Sequence, residues 1–435
     1  MKKSFIAFSG LISMLLSSCA GETVDYTEPP VPNPIIPEEI PDVVPPSMAS
    51  APLDKISGEA IANINDFSLR FYLANSEKNH DNVCVSPLSV GSVLGMMANG
   101  DNGLARNEIL KTMGFKENED GLGELNFCYQ TLISNLPNMD EDVCCNITNT
   151  LWCDPNYYYI RKSFMQTISD SYYATGIGIS PRGVDGKEAI NAFVSRNTNG
   201  LIDNFLIEPL DVTLAFLNTI YFKASWNSAF DEFLTSRNTF IDIENNELKT
   251  DFMCSCDYNL YSVTEDGTEA VRLDYGMNRK FSMTFILPSS QINHMALDEV
   301  LTPGNLDQLD RNWRGEKILL RIPKFEIEMN LPNTIDILKE IGMEKVCSQD
   351  PHAVFHQITE SSDFYLKCFI HATKLKVDEK GTEGAAASLG GMVDSAGPGH
   401  ENNIREINFN RPFIFYIQEN TTGAILFIGS VKTLL

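Results

Sequence analysis

Positive charge is scarce in this chain: 33 lysines and arginines stand against 58 aspartates and glutamates, a net charge of −25 over 435 residues. So acidic a surface repels phosphate backbones, and nucleic acid is not an expected partner. Past the N-terminus no stretch has the roughly 18 consecutive apolar residues of a membrane span. There is no Gly-x-Ser-x-Gly elbow, so nothing supports a hydrolase with its own nucleophile, and the chain is not read as an enzyme. Metal-ligand patterns are also missing. Cys144-Cys145 and Cys254-x-Cys256 have no second pair at zinc spacing, and His352 and His356 lack the glutamate of a metalloprotease helix. No metal and no cofactor is expected. From Leu53 onward there is no fixed-period repeat, no charge run and no Pro/Gly/Ser-rich break, so 53–435 reads as one large domain.

The N-terminus is different in kind. Lys2 and Lys3 precede an apolar run from Phe5 to Leu16 and then Leu16-Ser17-Ser18-Cys19, a secretory signal over 1–19. Its end resembles the bacterial lipoprotein cleavage box, which makes Cys19 the expected lipidation site and the first mature residue. From Ala20 to Pro52, nine of the 21 prolines crowd among acidic residues, an extended tether over 20–52. The expected location is a bacterial cell envelope, with lipid as the only membrane contact, on the outer membrane and facing either the periplasm or the surface. Nine of the ten cysteines follow Cys19, an odd number, so at least one is free or pairs between chains. Cys84, Cys153 and Cys368 sit in apolar strand-like runs and are expected in the core.

Helical patterns dominate the first third. Ile61 to Asn75 is amphipathic, Ser86-Pro87 supplies an N-cap and a first-turn proline for a helix continuing through Ser89 to Asn99, Gly114-Phe115 ends the next helix, and Glu124 to Leu136 forms another. Strand patterns follow at Asn146–Trp152, Leu214–Phe222, Phe281–Leu287, Ile318–Phe325, Phe364–Val377, Phe413–Gln418 and Ile425–Val431, interrupted by helical patterns at Ser163–Tyr173 and Lys187–Phe205. The class is α+β, helices first and large mixed sheets after.

One segment stands out. Glu379-Lys-Gly-Thr-Glu-Gly-Ala-Ala-Ala-Ser388 follows a strand-like run yet has almost no side chains to anchor a core. Thr382, Gly384, Ala386 and Ser388 fall on one side of any extended conformation, and all are small, so the segment can slip between existing strands. A Gly/Ala-rich stretch is more often a linker. This one lies between strong strand patterns near the end of a folded region.

Several blocks together resemble a serpin. They are Ser86-Pro-Leu-Ser89, Ala189 to Phe205, Asn218-Thr-Ile-Tyr-Phe-Lys223 with Trp226 and Phe230, Ile322-Pro-Lys-Phe325, His371-Ala-Thr-Lys374, Glu379 to Ser388 and Asn410-Arg-Pro-Phe413, in family order over about residues 56 to 433. The resemblance implies a metastable fold with an exposed reactive-centre loop as bait. A protease cuts the loop and forms an acyl-enzyme; the cut loop then inserts into the main sheet and drags the enzyme with it. Glu379, Gly381, Thr382, Glu383, Gly384, Ala385, Ala386, Ala387 and Ser388 would form the hinge, with Gly384 where the family usually has alanine. Ser86, Ser89, Asn218 and His371 match the polar shutter under the sheet, and Trp226 the tryptophan where insertion starts. The implied partner is a target protease held covalently by a monomer, and the acidic stretch Glu117 to Asp142 argues against activation by polyanions.

Counting as the family does puts the scissile bond at Ser395-Ala396, while Met392-Val393, Val393-Asp394 and Asp394-Ser395 stay open because the stretch to Phe409 is long. No Lys or Arg lies between Glu383 and Asn403, and Arg405 is too far downstream. Trypsin-like enzymes are therefore disfavoured, and elastase-like or subtilisin-like serine proteases fit, with some cysteine proteases open to the same loop chemistry. The alternative is a serpin-fold binding or chaperone-like protein, which tends to carry bulky or charged hinge residues that this chain lacks.

Overall fold

Ser57 opens the first helix by accepting the Ala60 amide on its hydroxyl at 3.0 Å, and Ser86 caps the second in the same way through Ser89. In the computed structural model, residues 51–434 are described, apart from 157–158, 291–293, 333, 349, 351, 361–363, 365 and 383–403. The helices are α1 (Gly58–Lys78), α2 (Pro87–Ala98), α3 (Leu104–Thr112), α4 (Glu119–Asn135), α5 (Lys162–Tyr172), α6 (Gly183–Asn197), α7 (Pro303–Arg311), α8 (Ile335–Glu340) and α9 (Glu344–Cys347). The strands are β1 (Val83–Val85), β2 (Val143–Cys153), β3 (Thr175–Ile177), β4 (Leu214–Ser225), β5 (Ser236–Ile241), β6 (Glu247–Val263), β7 (Glu269–Tyr275), β8 (Phe281–Leu287), β9 (Arg314–Pro323), β10 (Phe325–Leu331), β11 (His371–Asp378), β12 (Gly381–Thr382), β13 (Arg405–Asn408), β14 (Phe413–Glu419) and β15 (Ile425–Val431).

Two sheets hold these strands. One runs β1-β15-β14-β8-β7-β6-β9-β13 with β5 on β6, and the other β10-β11-β12-β4-β2-β3. The α+β class read from the sequence is the class observed, and β8, β14 and β15 are buried along nearly their whole length, as their continuous apolar runs require. All twelve residues of α2 are buried, so this helix passes through the core rather than lying on it. A second, smaller apolar cluster joins Ile190 and Val194 of α6 to Trp152, Ile177 and Leu217 of the six-stranded sheet, so α6 covers that sheet.

Four sequence expectations need correction. The helix expected to reach Phe205 stops at Asn197, because Asn199 and Gly200 take left-handed backbone (φ 52° and 75°) that a helix cannot continue. The run Ile318–Phe325 serves two strands: Pro323, which has no N–H to donate, ends β9 against Phe252, and Phe325 begins β10 against Val377. The run Phe364–Val377 is a strand only from His371. Cys368, expected in the core, is half-buried in the irregular part of that run, whereas Cys84 and Cys153 are buried as expected. All nine cysteines from Cys84 to Cys368 are free thiols.

Candidate functional site

The site begins where β11 ends. After Asp378 the chain turns sharply, with the Lys380 amide donating to the Asp378 side chain at 2.9 Å, and returns as β12. β12 lies between two strands: Gly381 and Thr382 pair with Asp378 and Val377 of β11 on one side and with Ser225 and Ala224 of β4 on the other. Only glycine fits at 381. Its φ is +154°, and a Cβ there would come within 2.0 Å of the Ala224 carbonyl oxygen.

Three carbonyls of the turn are taken by the segment after β4. The Trp226 indole donates to Asp378 O, the Trp226 amide to Lys380 O and the Phe230 amide to Glu379 O, each at 2.9 Å. Trp226 stacks flat on Tyr275 at 4.4 Å between ring centres, and the Tyr275 hydroxyl meets the Thr382 hydroxyl at 2.5 Å in full burial. Glu379 is also buried. It accepts from Thr235 at 2.8 Å and pairs with Lys324 at 3.1 Å. Burial alone would push its carboxyl up, but its own backbone amide, Thr235 and Lys324 outweigh burial and hold it below the ordinary glutamate value.

Below β12 the sheet is open. Among the described residues no ladder bond joins β4 to β11, and a cleft of about 540 Å³ runs down between Leu214–Ile220 and Leu366–Ala372, with α2 on one side and α6 on the other. Among the described residues, 366–370 has no strand beside it on the cleft side; on the other side the Thr334 amide donates to Phe369 O at 2.8 Å. The Thr219 hydroxyl, buried on the cleft wall, has no hydrogen-bond partner among the described residues. At the mouth, Asp211 binds Arg182 at 2.7 Å and Lys367 at 2.8 Å, tying the unpaired segment to the start of α6. The Lys367 hydrogen bond, with the charges of Arg182 and Lys367, holds its carboxyl below the ordinary range.

A chain of polar groups crosses beneath the cleft. The Ser86 amide donates to His371 Nε2 at 3.0 Å and the Ser86 hydroxyl to Leu426 O at 2.8 Å. Ser89 donates to Asn218 Oδ1, Asn218 to Asn149 Oδ1 at 2.7 Å, and Asn149 to Tyr172 O at 2.8 Å. Burial drives the His371 pKa down to about 4, so the ring is neutral, and because Nε2 accepts, its proton sits on Nδ1. Such a chain can part and re-form by exchanging partners, provided each buried group keeps one.

The structure thus brings together Ser86, Ser89, Asn218 and His371 in one network, and Glu379, Gly381, Thr382 and Trp226 in another. Glu383, Gly384, Ala385, Ala386, Ala387 and Ser388, the Ser395-Ala396 bond and Cys19 lie outside the described residues. Sequence reasoning missed Tyr275, Lys324, Thr235 and Asn149 as partners. None of them carried a distinctive local signal: Asn149, directly opposite Asn218, sits in a strand that also holds Asn146, Thr148 and Thr150.

Comparison with known proteins agrees with this architecture. The chain is 29% identical to Serpin-Z3 of Arabidopsis thaliana over 399 residues, covering 86% of this chain and 98% of that one. It is 27% identical to intracellular coagulation inhibitor 1 of Tachypleus tridentatus over 372 residues, covering 84% and 87%. The native-state crystal structure of the thermophilic serpin tengpin superposes with a TM-score of 0.77 at 28% identity, covering 91% of this chain and 98% of that one. The family model for Serpin (serine protease inhibitor) matches residues 62–433, most of the chain, and with the slotted sheet and polar shutter already in place, this protein belongs to the serpin family.

Proposed function

We propose that this chain is an irreversible, single-use inhibitor of elastase-like or subtilisin-like serine proteases, and not itself an enzyme. One observation carries the reading: β12 is seated at the top of a slot that no strand among the described residues fills below it. In the proposed sequence, the protease serine attacks the Ser395 carbonyl, the Ala396 amine leaves, and an ester joins Ser395 to the enzyme. The cut segment then follows β12 downward. Continuing the register of Thr382 opposite Ala224 and Val377 sets Ser388 opposite His371 and Met392 opposite Leu214, the ends of β11 and β4.

Filling the cleft is the driving force. An inserted strand would cover apolar side chains of the cleft wall such as Phe216, Leu217 and Ile370. New ladder bonds to β4 and β11 add to it. The inhibitory relatives support the direction of this reading: one is named a coagulation inhibitor and another alpha-1-antiproteinase 2. The Cys19 box and proline-rich tether support a lipid anchor at a bacterial cell envelope; labelled palmitate should enter the wild-type chain and not Cys19→Ser.

Denaturing electrophoresis tests the function. Mixed with pancreatic elastase or subtilisin, the protein should give a band at the summed mass less the released piece 396–435, and mass spectrometry should find that piece beginning at Ala396. Trypsin should give no such band. If every enzyme yields only cleaved chain, the protein is a substrate and the inhibitory reading is wrong.

A further inference from the structure

Through its middle, β6 is paired on one side only. β5 holds Glu247 to Phe252 and β7 holds Leu260 to Val263, while β9 runs along Phe252 to Tyr261. Residues 253–259 therefore have a strand neighbour on the β9 side alone among the described residues. Cys254 and Cys256 lie in that stretch, two residues apart, and so share one face of the strand. It is the outward face: Cys256 is exposed and Cys254 half-buried. Their partners across the ladder, Arg321 and Leu319, are half-buried too, whereas Ile318, Leu320 and Ile322 between them are fully buried on the other face.

Two thiols so placed cannot close on each other. Two strand steps separate their Cα atoms by ~6.8 Å, and because both Cα–Cβ bonds leave the same face in parallel, the Cβ atoms are about as far apart, well beyond the ~3.8 Å of a disulfide. Both are free thiols. An ion bound in line between the two sulfurs fits the spacing instead. With metal–sulfur bonds of about 2.3 Å the sulfurs stand about 4.6 Å apart, which each side chain reaches by leaning ~1 Å toward the other. Zinc is the wrong ion, because it takes four ligands and, among the described residues, no third cysteine, histidine or carboxylate completes a metal-holding group. Two thiolates in line suit a soft monovalent ion, and thiolate sulfur selects Cu(I) over the harder divalent ions.

The surroundings match the charge such a site carries. One Cu(I) and two thiols give a linear dithiolate complex with one negative charge and two released protons. Arg321, directly opposite Cys254, supplies the counter-charge, and the nearby Glu406 carboxylate is engaged by that same arginine. Leu319, opposite Cys256, offers no competing oxygen. We propose that Cys254 and Cys256 form a two-sulfur binding site for a soft monovalent metal ion of the Cu(I) class.

The test uses the full-length chain carrying Cys19→Ser, so that no N-terminal thiol competes. Cu(I) is supplied from its coloured bicinchoninate complex, with ascorbate and without oxygen. One equivalent should pass from the chelator to the protein, and less as pH falls, because protons compete for both sulfurs. Peptide mapping after iodoacetamide should show Cys254 and Cys256 protected by the copper and the exposed Cys144 of β2 as reactive as before. Cys254→Ser and Cys256→Ser should each weaken binding at least about tenfold, with Cys144→Ser matching the parent. A parent chain that takes no copper from the chelator, or whose Cys254 and Cys256 alkylate as fast with copper as without, overturns the site. So does equal protection by Zn(II), which would show that the two thiols do not select a two-coordinate ion.

Discussion

The hydroxyls of Thr382 and Tyr275 meet at 2.5 Å with both side chains buried, joining the two-residue strand at the top of the slot to β7 of the other sheet. Neither group has water to turn to. The Trp226 ring stacked on Tyr275 fixes the phenol from its far side, so β12 is held on both its sheet neighbours and its partner hydroxyl.

Thr382→Arg should turn the protein from inhibitor into substrate. The guanidinium would have to be buried beside Tyr275, at a cost of several kcal/mol if left unpaired. Insertion would then lose the race against water for the acyl-enzyme. Electrophoresis with elastase should show cleaved chain and free enzyme, and a persistent covalent band would contradict the insertion mechanism.

Glu379→Gln should loosen the turn without unfolding the protein. It keeps an acceptor for Thr235 and loses the charge that pairs with Lys324. Amide exchange at Phe230 and Trp226, which donate to the Glu379 and Lys380 carbonyls, should quicken several-fold. Because the folded carboxyl lies below its ordinary 4.5, its contribution is whole above that pH and is lost only as pH falls through the lower folded value. Unchanged exchange at neutral pH would show that the backbone bonds alone hold the turn.

The elements around the slot were legible because their signals are local. Ser86-Pro87 marks the start of α2, and the apolar runs of β8, β14 and β15 mark strands covered on both faces. β6 escaped notice because most of its 17 residues are at least partly exposed, and Glu247 to Asp251 and Ser255 to Asn259 are mostly polar. Its strand form depends on β5 and β9, not on its own sequence. The lower half of the Phe364–Val377 run failed for the converse reason. Its composition suits a strand, but among the described residues no strand lies beside it on the cleft side. Tyr275 and Lys324 could not be found as hinge partners because they lie 107 and 55 residues away in sequence from Thr382 and Glu379.

His371 should make the protein acid-sensitive well above the carboxylate range. In the unfolded chain the imidazole takes up a proton near pH 6.5, in the folded chain only near 4. Between these values the unfolded state binds the extra proton, so stability falls as pH falls through that window, on the order of 3 kcal/mol in all. Protonation would also remove the acceptor of the Ser86 amide and part the shutter. Unfolding rates measured from pH 7 to pH 4.5 should rise in wild type and stay flatter in His371→Gln, whose side-chain oxygen can still accept that amide. Parallel profiles would assign the acid sensitivity to other groups.

The register of β12 makes the inserted state testable residue by residue. Extending Thr382 opposite Ala224 by four places sets Ala386 opposite Ile220 on β4, where directly paired Cα atoms lie about 4.5–5.5 Å apart, within disulfide reach. In the uncut protein, position 220 borders the open cleft, so an Ala386→Cys/Ile220→Cys variant should crosslink only after the loop is cleaved. Ala385→Cys/Ile220→Cys is the control: a one-residue offset points the two side chains to opposite faces of the sheet and should prevent the bond. A 220–386 disulfide found by non-reducing peptide mapping of the cleaved chain, with none between 220 and 385, fixes both the insertion and its register. Crosslinking by both variants would show a mobile, unregistered segment, and by neither a cut loop that never enters the slot.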